Sequence, residues 1–220
     1  MGLSFKLDAT EKEWLGSLAR QSIALAVGAA PELPGVASLT EALKSPEAPD
    51  GEEHPVLMRP LGAFVTITLG GDLRGCIGTI VGREPLEENV WRMARAAALE
   101  DPRFPPLTAR EWERAQLEIS VLDELTPCPD PALVEVGRHG LALQYGGRSG
   151  VFLPQVPVEQ GWDREAYLDH LCVKAGVPVG TWRLPQARLF WYEALVFPAR
   201  GTKGKPQGNL RDSTAERAGG

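Results

Sequence analysis

Cys76 stands two residues from Arg74 in the stretch Leu73-Arg74-Gly75-Cys76-Ile77-Gly78-Thr79-Ile80. If this stretch is extended, its period of two puts Arg74 and Cys76 on one face and turns Leu73, Ile77 and their neighbours into a packed environment. A guanidinium on the same face as a thiol favours thiolate by direct charge attraction, so the pair suggests a nucleophilic or redox-active cysteine. Gly75 and Gly78 flank the thiol although glycine is poor strand material. Their presence implies that something approaches the backbone closely, which makes both of them candidate substrate-binding positions. The competing reading is a small buried hydrophobe, the commonest state of a free cysteine.

A nucleophilic cysteine commonly has a base, and histidine is the usual one. His139, in Gly137-Arg138-His139-Gly140, lies in a turn that could aim it at a cleft, and an imidazole titrating near 6.5 suits the role. His170 is two residues from Cys172 on an expected helix, about 200° around the axis, so the two do not chelate together. His54 lies in a Pro-rich connection with no context that demands a role. Arg103, in Asp-Pro-Arg-Phe, is a candidate anion ligand. Gln155, in Leu-Pro-Gln-Val, can present an amide to a substrate.

The C-x2-C and H-x3-H pairs typical of structural zinc are missing, and the thiol spacings do not match iron–sulfur motifs, so neither a metal nor a cofactor is expected on this chain. The Gly70 to Gly78 stretch matches neither phosphate-loop pattern. Phe190, Trp191 and Tyr192 read as core rather than as a base-stacking platform.

The elements that must position these residues follow from periodicity and punctuation. Thr10 with Glu13 forms a capping-box pattern ahead of an amphipathic helix over 11–28. Residues 29–55 are a proline-interrupted connection with a short helix near Leu39 to Lys44. Residues 62–69 and 73–80 form a hairpin closed by Gly70-Gly71-Asp72. A helix follows Pro85 and ends near Leu99; Thr108 with Glu111 starts a short helix; Leu117, Ile119 and Val121 alternate as a strand. Residues 126–131 read as a linker, and 134–156 as strands turning at Gly146-Gly147. Asp163 caps a helix stopped by Gly176 and Pro178, and Leu189 to Phe197, apolar on both faces, reads as one central strand. This order lacks a regular βαβ rhythm and argues for an α+β fold with antiparallel or mixed sheets.

The strings LRGCIG at 73–78, DPRFPPL at 101–107, EISVL at 118–122, GRHGL at 137–141, LPQV at 153–156 and LCVKAGVP at 171–178 resemble the AMMECR domain family. That family supplies protein A of the AmmeMemoRadiSam system. The matching blocks run from about residue 10 to Phe197. The resemblance implies one domain over 1–198, built of two interleaved α/β subdomains with a cleft where LRGCIG lies; the tail over 199–220, Gly-rich and polar with no core-forming residues, reads as disordered. It carries no established reaction. It implies Memo-like and radical SAM proteins as partners, with any iron–sulfur cluster and S-adenosylmethionine held by those partners. The expected function is an enzyme or enzyme component acting on a small molecule or modified residue at Cys76 and Arg74. The alternative is a non-catalytic binding or scaffold protein in which LRGCIG is structural.

Composition sets outer bounds. The net charge of −6 argues against broad capture of nucleic acid. Three cysteines without close pairing argue against a disulfide framework. No run approaches the ~20 apolar residues of a membrane span, and the first residues lack a secretory signal pattern, so a cytoplasmic location is expected.

Overall fold

The computed structural model describes residues 3–29 and 55–199. The helix expected near 39–44, His54, and the tail from residue 200 lie outside the described residues. Helix α1 (Ala9–Ala26) opens on Asp8, whose carboxylate accepts from the Glu11 N–H while the Glu11 carboxylate accepts from the Asp8 N–H. The capping box therefore sits two residues before the one expected at Thr10 and Glu13. Of the apolar residues spaced for one face, Trp14, Leu15, Leu18 and Ile23 are buried, and Val27, the C-cap, is partly buried.

Strands β1 (Gly62–Leu69) and β2 (Asp72–Thr79) form the expected hairpin. Gly70 and Gly71 have φ of 61° and 96°, the left-handed pair that a tight hairpin turn needs. One detail departs from simple alternation. The register passes from Ile67↔Gly75 to Thr68↔Leu73, so Arg74 is the extra residue of a bulge. Leu73 is consequently 43% exposed instead of packed.

Helix α2 (Leu86–Leu99) follows Pro85, and the short helix α3 (Ala109–Trp112) carries the predicted Thr108–Glu111 capping box. Strand β3 (Gln116–Leu122) pairs with β1, and the first sheet has the order β2-β1-β3-β8, with β8 spanning Ala194–Pro198. Helix α2 packs on β1 and β2, and α1 packs against α2, so that Leu18, Ile23, Val90 and Ala94 share one core with Val65, Ile67, Ile119 and Val121.

A second sheet, in the order β4-β7-β5-β6, comprises β4 (Thr126–Pro127), β5 (Gly140–Tyr145), β6 (Arg148–Phe152) and β7 (Arg188–Tyr192). The expected linker over 126–131 thus contributes a short strand. Helix α4 (Gln155–Glu159) starts inside LPQV, where a strand end was expected. Helix α5 (Arg164–Lys174), capped by Asp163 as predicted, buries Tyr167, Leu168, Leu171 and Cys172 with Leu141 and Leu143. The architecture is α+β, two sheet-containing subdomains flanked by helices.

The expected single strand over 189–197 is two strands in different sheets. β7 is interior to the second sheet and β8 is the edge of the first, with the break at Glu193. The Glu193 carboxylate accepts from Arg138 Nε at 3.1 Å and Nη2 at 3.0 Å, and its carbonyl accepts from the Asp123 N–H at 2.9 Å. An apolar run has the same pattern whether it is one strand buried on both faces or two half-buried strands end to end. Among the described residues no helix is long and apolar enough to cross a membrane.

Candidate functional site

β2 is the outer strand of the first sheet, and its outward backbone groups at Cys76 are taken by side chains. The Cys76 N–H donates to Asp101 Oδ2 at 2.8 Å, and its carbonyl accepts from Arg103 Nη2 at 3.3 Å. Arg103 is tied to the same carboxylate through Nε at 2.9 Å and Nη2 at 2.7 Å. The Asp-Pro-Arg segment thereby imitates one residue of a further strand and covers the sheet edge.

Because both polar groups of Cys76 point away from β1, Cys76 and Thr66 are a non-hydrogen-bonded cross-strand pair, the kind in which side chains approach most closely. Thr66 Oγ1 donates to Cys76 Sγ at 3.4 Å. On its other side Thr66 is paired with Glu118. Cys76, Thr66 and Glu118 therefore form a row across three strands, on the face turned away from α2.

Asp101 is buried, and the Arg103 hydrogen bonds hold its carboxyl well below the usual carboxylate range, helped by the Cys76 N–H and opposed by burial. Arg103 is raised in return by Asp101. Glu118 moves upward, first through burial and then through the charge of Glu159. Glu159 is the last residue of α4.

Arg74 is engaged elsewhere. Its Nε and Nη2 donate to the two oxygens of Glu111 at 3.0 and 3.1 Å, and Nη2 also donates to the Pro106 carbonyl at 3.3 Å. The Phe104 ring adjoins both arginines, with its centroid 5.8 Å from Arg74 Cζ and 5.4 Å from Arg103 Cζ. The guanidinium touching Cys76 is thus that of Arg103.

Arg74, and after it the Thr108 N–H and hydroxyl, pull the Glu111 carboxyl from 4.5 down to about 2. The folded value lies below the unfolded one, so the contribution is complete above pH 4.5 and is lost as the pH falls toward 2. Arg74→Ala should lower stability by about 1–2 kcal/mol at pH 7, the range for a charge-assisted, partly exposed pair. Urea unfolding at a series of pH values checks this: the gap to wild type should narrow below pH 4, and a gap independent of pH would exclude the Glu111 pair as its source.

Gly75 and Gly78 adjoin the protein's own atoms. A Cβ on Gly75 would lie 2.2 Å from the Ala97 carbonyl oxygen of α2, and one on Gly78 would lie 2.2 Å from Phe64 Cγ. His139 lies in the second subdomain, where its Nδ1 accepts from the Glu135 N–H at 3.0 Å and its ring is 4.5 Å from that of Trp191. Burial, and then Arg138, lower its pKa. It lines a cavity of about 530 Å³ with Arg138, Trp191, Tyr192 and Asp123, where the chain crosses between the sheets. Cys76 is not among the residues lining that cavity. The structure therefore brings together Cys76 and Arg103, sets Arg74 beside them across Phe104, and places His139 in a different site.

Gln155 is the first residue of α4, and its Oε1 is buried with no hydrogen-bond partner. Ser120 Oγ is also buried and unpartnered, on the same strand face as Glu118. Sequence reasoning missed Thr66, Glu118, Asp101 and Glu111. Alternation in 62–69 and 117–121 is a usable signal for the first two, because it puts Thr66 and Glu118 on the polar side of their strands. Nothing local marks Asp101 as the partner of a residue 25 positions earlier. Among the described residues no three His, Cys, Asp or Glu side chains are grouped so as to hold a metal ion.

Residues 18–197 match the model of the family described as AMMECR1. Protein MK0488 of Methanopyrus kandleri is 37% identical over 216 residues, covering 94% of this chain and 95% of that protein. Protein MJ0810 of Methanocaldococcus jannaschii is 41% identical over 155 residues, covering 66% and 77%. The crystal structure of the uncharacterised protein PH0010 from Pyrococcus horikoshii superposes with a TM-score of 0.74 at 33% identity, covering 90% of this chain and 97% of that one.

Proposed function

The chain belongs to the AMMECR1 family, and from that premise we propose that it is an enzyme or enzyme component whose reactive group is the Cys76 thiol. The observation that carries this reading is the presentation of Cys76. Its backbone is clamped by Asp101 and Arg103, and its sulfur, hydrogen-bonded by Thr66, stands in a row with Glu118 across three strands. Thr66 steadies a developing thiolate, Arg103 supplies the nearby positive charge, and Arg74 positions the bulge through Glu111. Glu118, exposed at the far end of the row and two strands from Cys76, reaches the thiol proton only through Thr66 or an intervening water. Gln155, at the start of α4, is a further proposed substrate-binding residue, with a buried Oε1 that has no partner in the protein. The substrate is a small molecule or modified residue, and Memo-like and radical SAM proteins are the proposed partners. His139 serves its own cavity in this reading.

The scaffold alternative draws on one observation: the spaces beside Gly75 and Gly78 are filled by Ala97 and Phe64, as a purely structural motif would require. Iodoacetamide labelling of the folded protein at neutral pH, read by peptide mass spectrometry, separates the two. Cys172 is fully buried and burial pushes the Cys128 thiol up, so both serve as internal controls. A reactive Cys76 should label well ahead of both and slow in Thr66→Val. Labelling of Cys76 only on unfolding would leave the scaffold reading.

A further inference from the structure

Arg20, in the second half of α1, is half-buried, and its two contacts carry no negative charge. Nη1 donates to the Ala199 carbonyl at 3.3 Å, and the guanidinium lies over the Trp112 ring with Cζ 5.0 Å from the centroid. No carboxylate pairs with it among the described residues. Proteins pair the charges they bury, because an uncompensated ion in a partly desolvated site is costly. Here the space beside the guanidinium is a cavity of about 370 Å³ bounded by Arg20, Thr66, Thr68, Gln116 and Glu118. The one acid on its wall, Glu118, does not pair with Arg20, and Glu159 is the charge that acts on it. Burial lowers the Arg20 pKa, and no carboxylate among the described residues raises it in return.

We propose that this cavity is a subsite for an anionic group of the substrate, a carboxylate or a phosphate, held by Arg20 with the Thr68 hydroxyl and the Gln116 amide as neutral donors. Cys76 does not itself line this cavity, but Thr66 belongs both to the cavity wall and to the hydrogen bond with Cys76 Sγ, so a substrate anchored by its anion on Arg20 meets the thiol by extending past Thr66. As an assignment of substrate class it rests on the reading of Cys76 as the reactive group. As an anion site it does not.

The test is an NMR titration of the full chain at pH 7 and constant ionic strength, first with inorganic phosphate and then with acetate. The backbone amides of Thr66, Thr68 and Gln116 and the Arg20 Nε–H are followed. Saturable shifts confined to these groups are expected, and the tighter of the two anions identifies the class. Arg20→Gln should weaken binding about tenfold or more, the loss of one charge-assisted contact, whereas Arg20→Lys should retain most of it. Glu118→Gln should tighten binding by removing the acid on the wall. Failure of these amides to shift with either anion, or wild-type affinity in Arg20→Gln, overturns the proposal. If Arg20→Gln does not fold, the wild-type shift map and Arg20→Lys decide it. Cys76→Ser should bind phosphate like wild type. Intact phosphate binding beside an inert Cys76 would therefore remove the thiol reading and leave the subsite, and a reactive Cys76 without anion binding would do the reverse.

Discussion

Gly75→Ala should destabilise the protein by about 3 kcal/mol, the upper part of the range for overpacking a close-packed contact. The added Cβ would lie 2.2 Å from the Ala97 carbonyl oxygen, which is helix backbone and cannot rotate aside. Strand β2 and helix α2 would have to separate, loosening the packing of Val90 and Ala94 over Ile67. Gly75 is not among the glycines at positive φ, so alanine meets no backbone strain there. At an open site the same change would stabilise by about 0.4–1 kcal/mol, through the reduced entropy of the unfolded chain. The sign of the effect is therefore diagnostic. Urea unfolding with an unchanged slope measures it, and a variant as stable as wild type would show that α2 does not press on the strand at this point.

The second large effect is expected at Asp101. Its carboxylate is 4% exposed and accepts from the Cys76 N–H, the Arg103 N–H, and the Arg103 Nε and Nη2. Asp101→Ala leaves the Cys76 N–H at the sheet edge without its partner and releases Arg103. Hydrogen bonds to a charged group contribute about 1.5–3 kcal/mol and these share one acceptor, so a total loss of about 3 kcal/mol is expected. Asp101→Asn keeps an acceptor but not the charge and should lose about half of that.

The pH dependence has a definite sign. The folded carboxyl titrates below its ordinary value of 3.8, so its contribution is complete above that pH and falls away as the pH drops toward the depressed folded value. The gap between wild type and Asp101→Ala should be the same at pH 7 and pH 5 and shrink below about pH 4. Hydrogen exchange gives an independent readout, since the Cys76 amide should lose protection in Asp101→Ala. Unchanged protection would mean that Asp101 does not secure the strand edge.

What the chain declares by itself is local. The hairpin at Gly70-Gly71, the capping box at Thr108 and Glu111, and the helix from Asp163 to Gly176 all rest on groups within a few residues of one another. Their energetics are therefore written in spacing and residue type. Cys76 and Arg103 stand out as candidates for the same reason, and the α+β class follows from the order of elements. The tertiary structure decided partnership. Arg74 was matched to Cys76 by a period of two, but the bulge at Arg74 and the bidentate hold of Glu111 give that guanidinium to another carboxylate. Glu118 joins the row only because β3 pairs with β1 in one register, and a slip of one residue would turn it to the opposite face. The split of 189–197 at Glu193 likewise follows from two sheets that compete for one apolar run. Which strand accepts which neighbour is a long-range choice made by burial of whole faces, and no window of sequence contains both halves of it.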